Sequence, residues 1–296
     1  MKKILFISII IWGTFLYADD LNELLDVYAQ NSDLSEKTKS ENSGILTIFS
    51  RKDLEISQAR NLKDILKSIP TVGYNESRYG FVDSLYTGSA SPFNSGRIRV
   101  FIDEYEVTSG IYSSGLAVLG DIDIGFVDHI EVYTHSPSFE YSSEPAYVLI
   151  KLYSKEAERD VGGKVELSYG SRNYNQESLF YAQETKNFSY FTYLSRLDDR
   201  RKIYGTKENP LNRNLERYHL FASLYTTEHK LQLTAIKGRK NTFIGLSQDA
   251  TPSISYMQYG YLFLGYSYHY ENKLKLNISA EKTKHHSHMQ DSSEYK

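Results

Sequence analysis

The second half of the chain alternates apolar and polar residues in segments close to ten residues long, and this alternation limits the possible folds more than any other feature. In the clearest segment, 273–282, the residues of one strand face are Leu274, Leu276, Ile278 and Ala280. Similar segments are KVELSYG, FSYFTYLSRL, RYHLFASLY, KLQLTAI and YGYLFLGYSYHY. Tyrosine-rich strands of this kind are typical of an outer-membrane barrel, whose outer face meets lipid. A soluble β-sandwich or barrel is the alternative, and it would bury the apolar face instead.

The first residues of the chain predict export. The segment 1–18, MKKILFISIIIWGTFLYA, has a basic start, an apolar run and Ala18 as a candidate cleavage site, which is typical of a secretory signal peptide. A buried or anchoring N-terminal helix is the alternative. Beyond this segment, no apolar run in the sequence is long enough for a membrane helix.

Composition excludes several classes of function. The chain has no cysteine, so disulfides, thiolate catalysis and cysteine metal sites are ruled out. The net charge is −3 and no Lys/Arg block stands out, so nothing indicates a nucleic-acid partner. The 26 tyrosines favour strands and positions where one end of a side chain is dry and the other wet.

Residues 44–156 have the mixed pattern of an α+β domain. The run ILTIF predicts a strand, and Ser50 followed by Asp53 predicts a capping box that begins a short helix. Asn61 followed by Asp64 predicts the start of a second helix. The residues of its apolar face are Leu62, Ile65, Leu66 and Ile69.

Two further strand units follow. RIRVFIDEYEV predicts two strands about a turn at Asp103 and Glu104, and the segment 126–153 predicts two strands joined by a turn that contains proline. Glu131 lies in the first of these strands, and we expect it to have a structural partner and no catalytic role. The sequence DIDIG at 121–125 begins like a calcium loop, but the fifth and twelfth positions lack the required ligands.

The order of these parts resembles the TonB-dependent outer-membrane receptors. In that family a signal peptide precedes a short TonB-contacting segment, a small plug domain and a large barrel that the plug fills. The plug motifs that carry the resemblance are ILTIFSRKDLE, NLKDILKSIPTV, RIRVFIDEYEV, VDHIEVY and YVLIKLYSK. One departure lies in the hairpin RIRVFIDEYEV, where Glu104 stands at a position that the family usually fills with glycine.

The resemblance implies an α+β plug domain followed by an antiparallel transmembrane β-barrel, incomplete in this chain. We expect a signal peptide at 1–18, an N-terminal segment with a candidate TonB-contacting stretch at 19–43, a plug at 44–156 and a partial barrel at 160–296. Barrels of this family have about 22 strands, whereas the residues after the plug supply roughly six to eight. Together with the polar end of the chain at Lys296, this predicts a truncated, non-transporting receptor.

The function follows from the resemblance alone. It implies non-enzymatic import of a scarce ligand, such as a siderophore-like metal chelate, in which TonB pulls on the N-terminal segment and the plug rearranges. The implied partners are the TonB–ExbB–ExbD complex, outer-membrane lipid and a small-molecule ligand, and no resident cofactor is expected.

Two sets of residues are candidates for these contacts. The candidate TonB-contacting residues are Leu24, Leu25, Asp26, Val27, Tyr28 and Ala29. An ordinary amphipathic turn would show the same periodicity. The candidate ligand-binding residues, in a long loop rich in Gly, Ser, Tyr and Asn, are Tyr74, Arg78, Tyr79, Tyr86 and Phe93. Aromatic and Arg side chains suit anionic, aromatic chelates; the alternative is that they pack this loop against the barrel.

Other classes of function stay open on the residues alone. An exported soluble binding protein with an α/β domain and a β domain would fit the signal peptide and the strands. An outer-membrane lipase or protease would need a nucleophile facing a base, and the sequence supplies no strong pair. A metal site at His285, His286 and His288 is a further alternative, but we expect these residues in a polar tail past the last strand.

Overall fold

The structure is a computed structural model that describes residues 45–69, 75–76, 82–83, 98–107, 115–134, 146, 148–171, 173–204, 211–241, 256–270 and 274–288. The predicted signal peptide, the segment 19–43, and all candidate TonB-contacting and ligand-binding residues lie outside this part of the chain. The described residues belong to one compact unit, Gly44–Lys296.

The first part of this unit, here called the α+β unit, is a five-stranded sheet with short helices. Its elements are β1 (Ile45–Phe49), α1 (Arg51–Ser57), α2 (Leu62–Leu66), β2 (Asn75–Glu76), β3 (Val82–Asp83), β4 (Ile98–Ile102), β5 (Tyr105–Val107), α3 (Leu116–Leu119), β6 (Val127–Thr134) and β7 (Val148–Ser154). The sheet order is β1-β6-β7-β4-β5, and β2 pairs with β3 separately. Strands β4 and β7 are parallel, whereas the other neighbours are antiparallel.

Both predicted helix starts are confirmed. The backbone N–H of Ser50 donates to Asp53 Oδ2 at 2.9 Å, and the Asp53 N–H donates to Ser50 Oγ at 3.3 Å, which completes the capping box of α1. Asn61 Oδ1 accepts from the Asp64 N–H at 3.1 Å at the start of α2. Because these side chains satisfy N–H groups that a helix leaves free at its first turn, helices of five to seven residues can form here.

The second part is a seven-stranded antiparallel sheet, here called the strand wall. Its strands are β8 (Gly162–Gly170), β9 (Tyr174–Glu184), β10 (Ser189–Tyr204), β11 (Leu211–Tyr225), β12 (His229–Asn241), β13 (Tyr256–Tyr270) and β14 (Leu274–His288). Each strand pairs with the next in the chain, which leaves β8 and β14 at the two edges. Several strands exceed the expected ten residues, since they continue past their apolar part into charged residues such as Asp198 and Arg200 in the 16-residue β10.

The expectation that the three C-terminal histidines lie past the last strand is wrong. Strand β14 continues to His288, which pairs with Tyr256 of β13 and stacks on its ring at 5.4 Å. The polar composition of this stretch resembles a loop, but pairing to a regular neighbouring strand supplies the backbone hydrogen bonds that extend β14.

The wall has two chemically different faces. The inward face packs on the α+β unit in one hydrophobic cluster, to which the wall contributes Phe191, Tyr193, Phe221, Ile236 and Phe263, all at most 4% exposed. The outward face shows a band of exposed apolar residues, which includes Leu194, Leu231, Leu262, Leu264 and Ile278. This band includes the predicted apolar face of β14, since Leu264 lies opposite Ala280.

Within the described part of the chain, no helix has both the length and the apolar character needed to cross a bilayer.

The core of the α+β unit gives a direct test of the fold. Ile150, in the central strand β7, is fully buried, whereas Ile56 on α1 is 72% exposed. We expect Ile150→Ala to lower the free energy of unfolding by about 2–5 kcal/mol, because it removes buried methyl groups and leaves a cavity. Ile56→Ala is the matched control and is expected to change it by less than about 0.5 kcal/mol. Urea unfolding in detergent micelles measures both values, and equal losses would contradict the assigned core.

Candidate functional site

Buried charged side chains join the α+β unit to the strand wall. We take this contact as the candidate functional site, because the resemblance implies a plug that rearranges inside a barrel. The residues that the sequence suggested for ligand and TonB contacts lie outside the described part of the chain.

Asp123 is the centre of the first contact. It is fully buried in the segment after α3, and its carboxylate reaches two neighbouring wall strands. Ser195 Oγ of β10 donates to Asp123 Oδ2 at 2.7 Å, and the Arg217 guanidinium of β11 donates to the same oxygen at 3.1 Å. His219 Nδ1 lies 3.3 Å from that oxygen. Arg217 and His219 converge on Asp123 because residues two apart in a strand share a face.

Asp121 forms a second ionic bridge beside the first. Its carboxylate lies 2.6 Å from Lys63 Nζ of α2 and 3.0 Å from Lys240 Nζ of β12. The segment is held against α2 by its backbone, since the Leu62 N–H donates to the Ile122 carbonyl at 3.0 Å. The helix, the acidic segment and the wall are therefore locked together by one set of contacts.

The electrostatics favour the charged form of both carboxylates. Burial by itself raises the pKa of Asp121 and of Asp123. For Asp121 the Lys240 and Lys63 ammonium groups together outweigh burial. For Asp123 the combined effect of His219, Arg217 and the Tyr193 hydroxyl does so, which holds both pKa values well below their usual range. Both groups are therefore ionised at neutral pH.

The Asp123 contact does not satisfy all of its polar atoms. Among the described residues, Nε and one terminal nitrogen of Arg217, Nε2 of His219 and Oδ1 of Asp123 have no hydrogen-bond partner. Arg217 is 2% exposed, so these groups lack bulk water as well. A buried ion pair whose remaining donors are unmet gains less than a fully bonded pair.

The turn between β4 and β5 makes the second contact with the wall. Asp103 accepts from the backbone N–H and the hydroxyl of Ser154, both at 2.8 Å, and lies 3.2 Å from Lys230 Nζ. Glu104 pairs with Lys275 at 2.8 Å. Of the two turn residues only Asp103 has a positive φ, 53°, which Asp tolerates. The departure at Glu104 therefore causes no backbone strain and adds an ion pair to the wall.

Tyr105 inserts into a notch in the wall beside this turn. Its hydroxyl lies 2.5 Å from Ser267 Oγ, and its ring meets that of Phe263 edge-on at 5.3 Å. A Cβ atom added at Gly265 would lie 2.7 Å from the Tyr105 ring. The wall therefore needs glycine at this position to admit the ring.

Glu131 has the structural partners that the sequence analysis expected. It is 3% exposed, and its Oε2 accepts from Tyr133 and Tyr153 at 2.6 and 2.8 Å. These bonds tie β6 to β7 across the sheet of the α+β unit.

The segment that leads from β7 into β8 is fixed by Arg51 at the start of α1. Arg51 donates to Asp128 Oδ1 at 2.8 Å and to both carboxylate oxygens of Asp160 at 2.9 and 2.7 Å. Arg159 also donates to Asp128, at 3.0 Å. A guanidinium that binds a carboxylate with two nitrogens fixes orientation as well as distance, so the first wall strand leaves the α+β unit at a defined place.

No group of three or more His, Cys, Asp or Glu residues could hold a metal ion in the part of the chain that the structure describes. On β14, successive side chains point to opposite faces, so His285 faces inward while His286 and His288 face outward.

The known proteins that this chain resembles have the same architecture. The family model of the TonB-dependent receptor plug domain matches residues 38–147. This part of the chain therefore belongs to the plug domains of TonB-dependent receptors. The α+β unit is the plug, and the strand wall is barrel-type sheet that is not closed in the described part.

Individual relatives agree with this assignment. The vitamin B12 transporter BtuB of Vibrio vulnificus (strain CMCP6) is 24% identical over 177 residues, which cover 60% of this chain and 27% of that protein. The ferric yersiniabactin uptake receptor FyuA of Yersinia pestis matches with a TM-score of 0.62 at 11% identity, over 85% of this chain and 42% of FyuA. The ferric-catecholate import receptor Fiu of E. coli K12 has a TM-score of 0.56 at 14% identity, over 84% and 39% of the two chains. The chain thus spans less than half of the length of each of these relatives.

The relatives favour one of the open classes of function. They are transporters and uptake receptors and not enzymes, which agrees with the expectation of a non-enzymatic protein. The match to the receptor plug domain favours an outer-membrane protein over the exported soluble binding protein.

Sequence reasoning missed the charged contacts between plug and wall. The signal that could have found them is a pair of acids in the otherwise apolar stretch around DIDIG, together with basic residues at inward positions of the wall strands. From the sequence alone, Asp121 and Asp123 are considered only as calcium ligands, and no role is assigned to Arg217 or Lys240. Their pairing depends on the packing of two distant segments.

The Asp123 contact predicts a specific pH dependence. A carboxylate with a lowered folded-state pKa stabilises the fold above the unfolded pKa, about 3.9 for Asp, and loses this contribution as the pH falls below it. We expect Asp123→Asn to lose about 3 kcal/mol at neutral pH, because Arg217 stays buried without a counter-charge. The deficit should shrink progressively as the pH falls below about 4, because the unfolded parent chain then binds a proton that the folded parent does not.

Urea unfolding at several pH values measures this deficit, and Asp198→Asn is the control. The Asp198 side chain pairs with Arg200, whose side chain is 66% exposed, so we expect a loss below about 1 kcal/mol. A deficit for Asp123→Asn that did not change with pH would contradict the role of its charge.

Proposed function

We propose that this chain is the plug and adjoining wall of a TonB-coupled outer-membrane receptor that imports a scarce metal chelate. The observation that carries the proposal is the position of the plug, which packs on the inward face of the wall through discrete contacts. These contacts are centred on Asp121, Asp123, Glu104 and Tyr105.

The chemistry of these contacts suits a plug that must be displaced. The sheet of the plug and the strand wall are separate, so no shared backbone ladder has to break. The Asp123 pair leaves several buried groups unbonded, and these groups regain partners when water enters. A pull on the plug would therefore exchange protein contacts for water at a modest net cost in free energy.

The ligand class is proposed from chemistry that several relatives share. The relatives' names specify vitamin B12, ferric yersiniabactin and a ferric catecholate, all of which are metal chelates. The residues we propose for contact are those of the sequence analysis: Tyr74, Arg78, Tyr79, Tyr86 and Phe93. An Arg among aromatic residues favours an anionic chelate such as a ferric catecholate over an electrically neutral one.

We propose that energy reaches the plug through residues 24–29, Leu24, Leu25, Asp26, Val27, Tyr28 and Ala29, with TonB as the direct partner and ExbB and ExbD behind it. This segment precedes β1 by about fifteen residues, which is an extended reach of roughly 50 Å. A pull on it would be transmitted first to β1, which is an edge strand of the plug sheet.

Binding of two chelates tests the proposed ligand class. We expect the detergent-solubilised chain to bind a ferric catecholate more tightly than cyanocobalamin, which is neutral overall. Arg78→Ala should weaken binding of the ferric catecholate by roughly tenfold or more, because it removes charge-assisted hydrogen bonds. Lys186→Ala is the control, since Lys186 is exposed in the turn between β9 and β10. Fluorescence or calorimetric titration measures the affinities, and an equal effect of both substitutions would contradict the role of Arg78.

A single-cysteine cross-link tests the TonB-contacting segment. The chain has no cysteine, so one introduced thiol reports a single position. We expect Asp26→Cys to cross-link to a TonB periplasmic domain that carries a thiol-reactive group. Asp198→Cys, near the opposite end of the wall from the short turns, should not react with it. Equal yields at both positions would exclude a specific contact at residues 24–29.

A further inference from the structure

The outward face of the wall contains an open cleft at Gly260, separate from the contact with the plug. The cleft has a volume of about 700 Å³, and the residues around it include Tyr218, Lys237, Arg239, Lys282, Lys284 and His286. Gly260 forms its floor, because it lies directly between Lys237 and Lys284 in the strand register. Neighbouring strands lie about 4.8 Å apart, so the backbones of the two lysines stand about 10 Å from each other with no side chain between them.

The position of the cleft along the strands places it at the outer membrane–water boundary. At one end of the wall all three connections are short, spanning residues 185–188, 226–228 and 271–273. At the other end, one connection is short, 171–173, and two are longer, 205–210 and 242–255. Outer-membrane barrels have short turns on the periplasmic side and longer loops outside. The cleft lies toward the end with the longer connections, so it faces the outer leaflet.

The lysines of the cleft form no ion pair within the described part of the chain. These lysines are Lys237, Lys282 and Lys284, and Arg239 stacks on the Tyr256 ring at 4.4 Å. Glu216 also lines the cleft, and its carboxylate accepts a hydrogen bond from the Tyr218 hydroxyl at 2.9 Å. Basic groups therefore outnumber acidic ones here, which leaves the cleft positively charged.

Apolar rows lie on the same face, beginning level with Lys282 and below Lys237 and Lys284. Leu262 is the outward neighbour of Gly260 along β13, and Leu264 follows two residues further. Both are about half exposed, at 47% and 52%. Ala235 lies opposite Leu262 on β12. A molecule that fits this surface carries a negative head at the level of Lys237 and hydrocarbon along the rows beneath it.

We propose that this cleft binds the phosphate headgroup of an outer-leaflet glycolipid, with its acyl chains against the apolar rows. Phosphate offers several strong acceptor oxygens to the lysine ammonium groups on both sides of Gly260, and the partly lipid-shielded boundary strengthens their attraction. The absence of a side chain at Gly260 lets the headgroup approach the sheet. This lipid contact is independent of the imported ligand and of TonB.

Retention of a phosphorylated glycolipid tests the proposal. The full chain in detergent micelles is mixed with diphosphorylated lipid A, and native mass spectrometry counts the lipid molecules it retains. We expect Lys237→Gln and Lys284→Gln each to weaken retention of lipid A about 5-fold. The double variant should weaken it about 25-fold. Lipid A from which the phosphates have been removed should bind the parent chain as weakly as it binds the double variant.

Two further variants separate the cleft from general surface charge. Gly260→Leu should weaken retention while every charge stays in place, and it fits the fold because a Cβ there meets its nearest neighbours at 3.9 Å. Arg196→Gln is the matched control, since Arg196 lies in the same outward row but next to Glu177, at 3.8 Å. Circular dichroism verifies that each variant is folded.

The outcomes are distinct. Losses in the lysine and glycine variants, with none in Arg196→Gln, support the lipid site. An equal loss in Arg196→Gln would show a general attraction to the surface and overturn the proposal. Displacement of lipid A by inorganic phosphate at equal concentration would assign the cleft to free phosphate and overturn the lipid assignment.

Discussion

A strand that crosses a bilayer shows one face to hydrocarbon and the other to the lumen, because successive side chains point to opposite sides. Most other features of this chain depend on that constraint. The outward leucines of β10, β12 and β13 leave the polar and aromatic positions of the same strands facing inward, where hydrocarbon cannot cover them. The plug covers this inward face, and its acids meet the basic residues that the alternation has placed there.

The contact between plug and wall combines close aromatic packing with buried polar groups that are not all hydrogen-bonded. Phe126 of the plug packs between Tyr193, His219 and Phe221 of the wall, with ring centroids 4.7–6.1 Å apart. Asp123 lies next to this aromatic group and ties the same strands through charge. Hydrophobic packing holds the plug in place. The charged contacts define its orientation, although several of the described polar atoms in them have no hydrogen-bond partner. A plug held in this way is specific in position and still removable.

The two faces of the wall also separate two kinds of partner. The inward face is specific to one plug, since Gly265 admits Tyr105 and no larger side chain could replace that glycine without displacing the ring. The outward face determines only how deep the wall lies in the membrane, because its leucines lie at the level of hydrocarbon and its lysines at the level of headgroups. Gly260 interrupts the outward face in the same way that Gly265 interrupts the inward one, and each opening has room for one kind of group.

The sequence by itself determined the local structure. The Ser50 and Asn61 caps, the apolar face of α2 and the alternation of β14 follow from short-range rules, because each depends on neighbours within a few residues. The order of the plug motifs also identified the family. The ionic bridges from Asp121 to Lys240 and from Asp123 to Arg217 were decided only by the tertiary structure, because they join residues 94 to 119 positions apart. No local pattern specifies which inward lysine or arginine meets which acid, since that depends on how the plug packs against the wall.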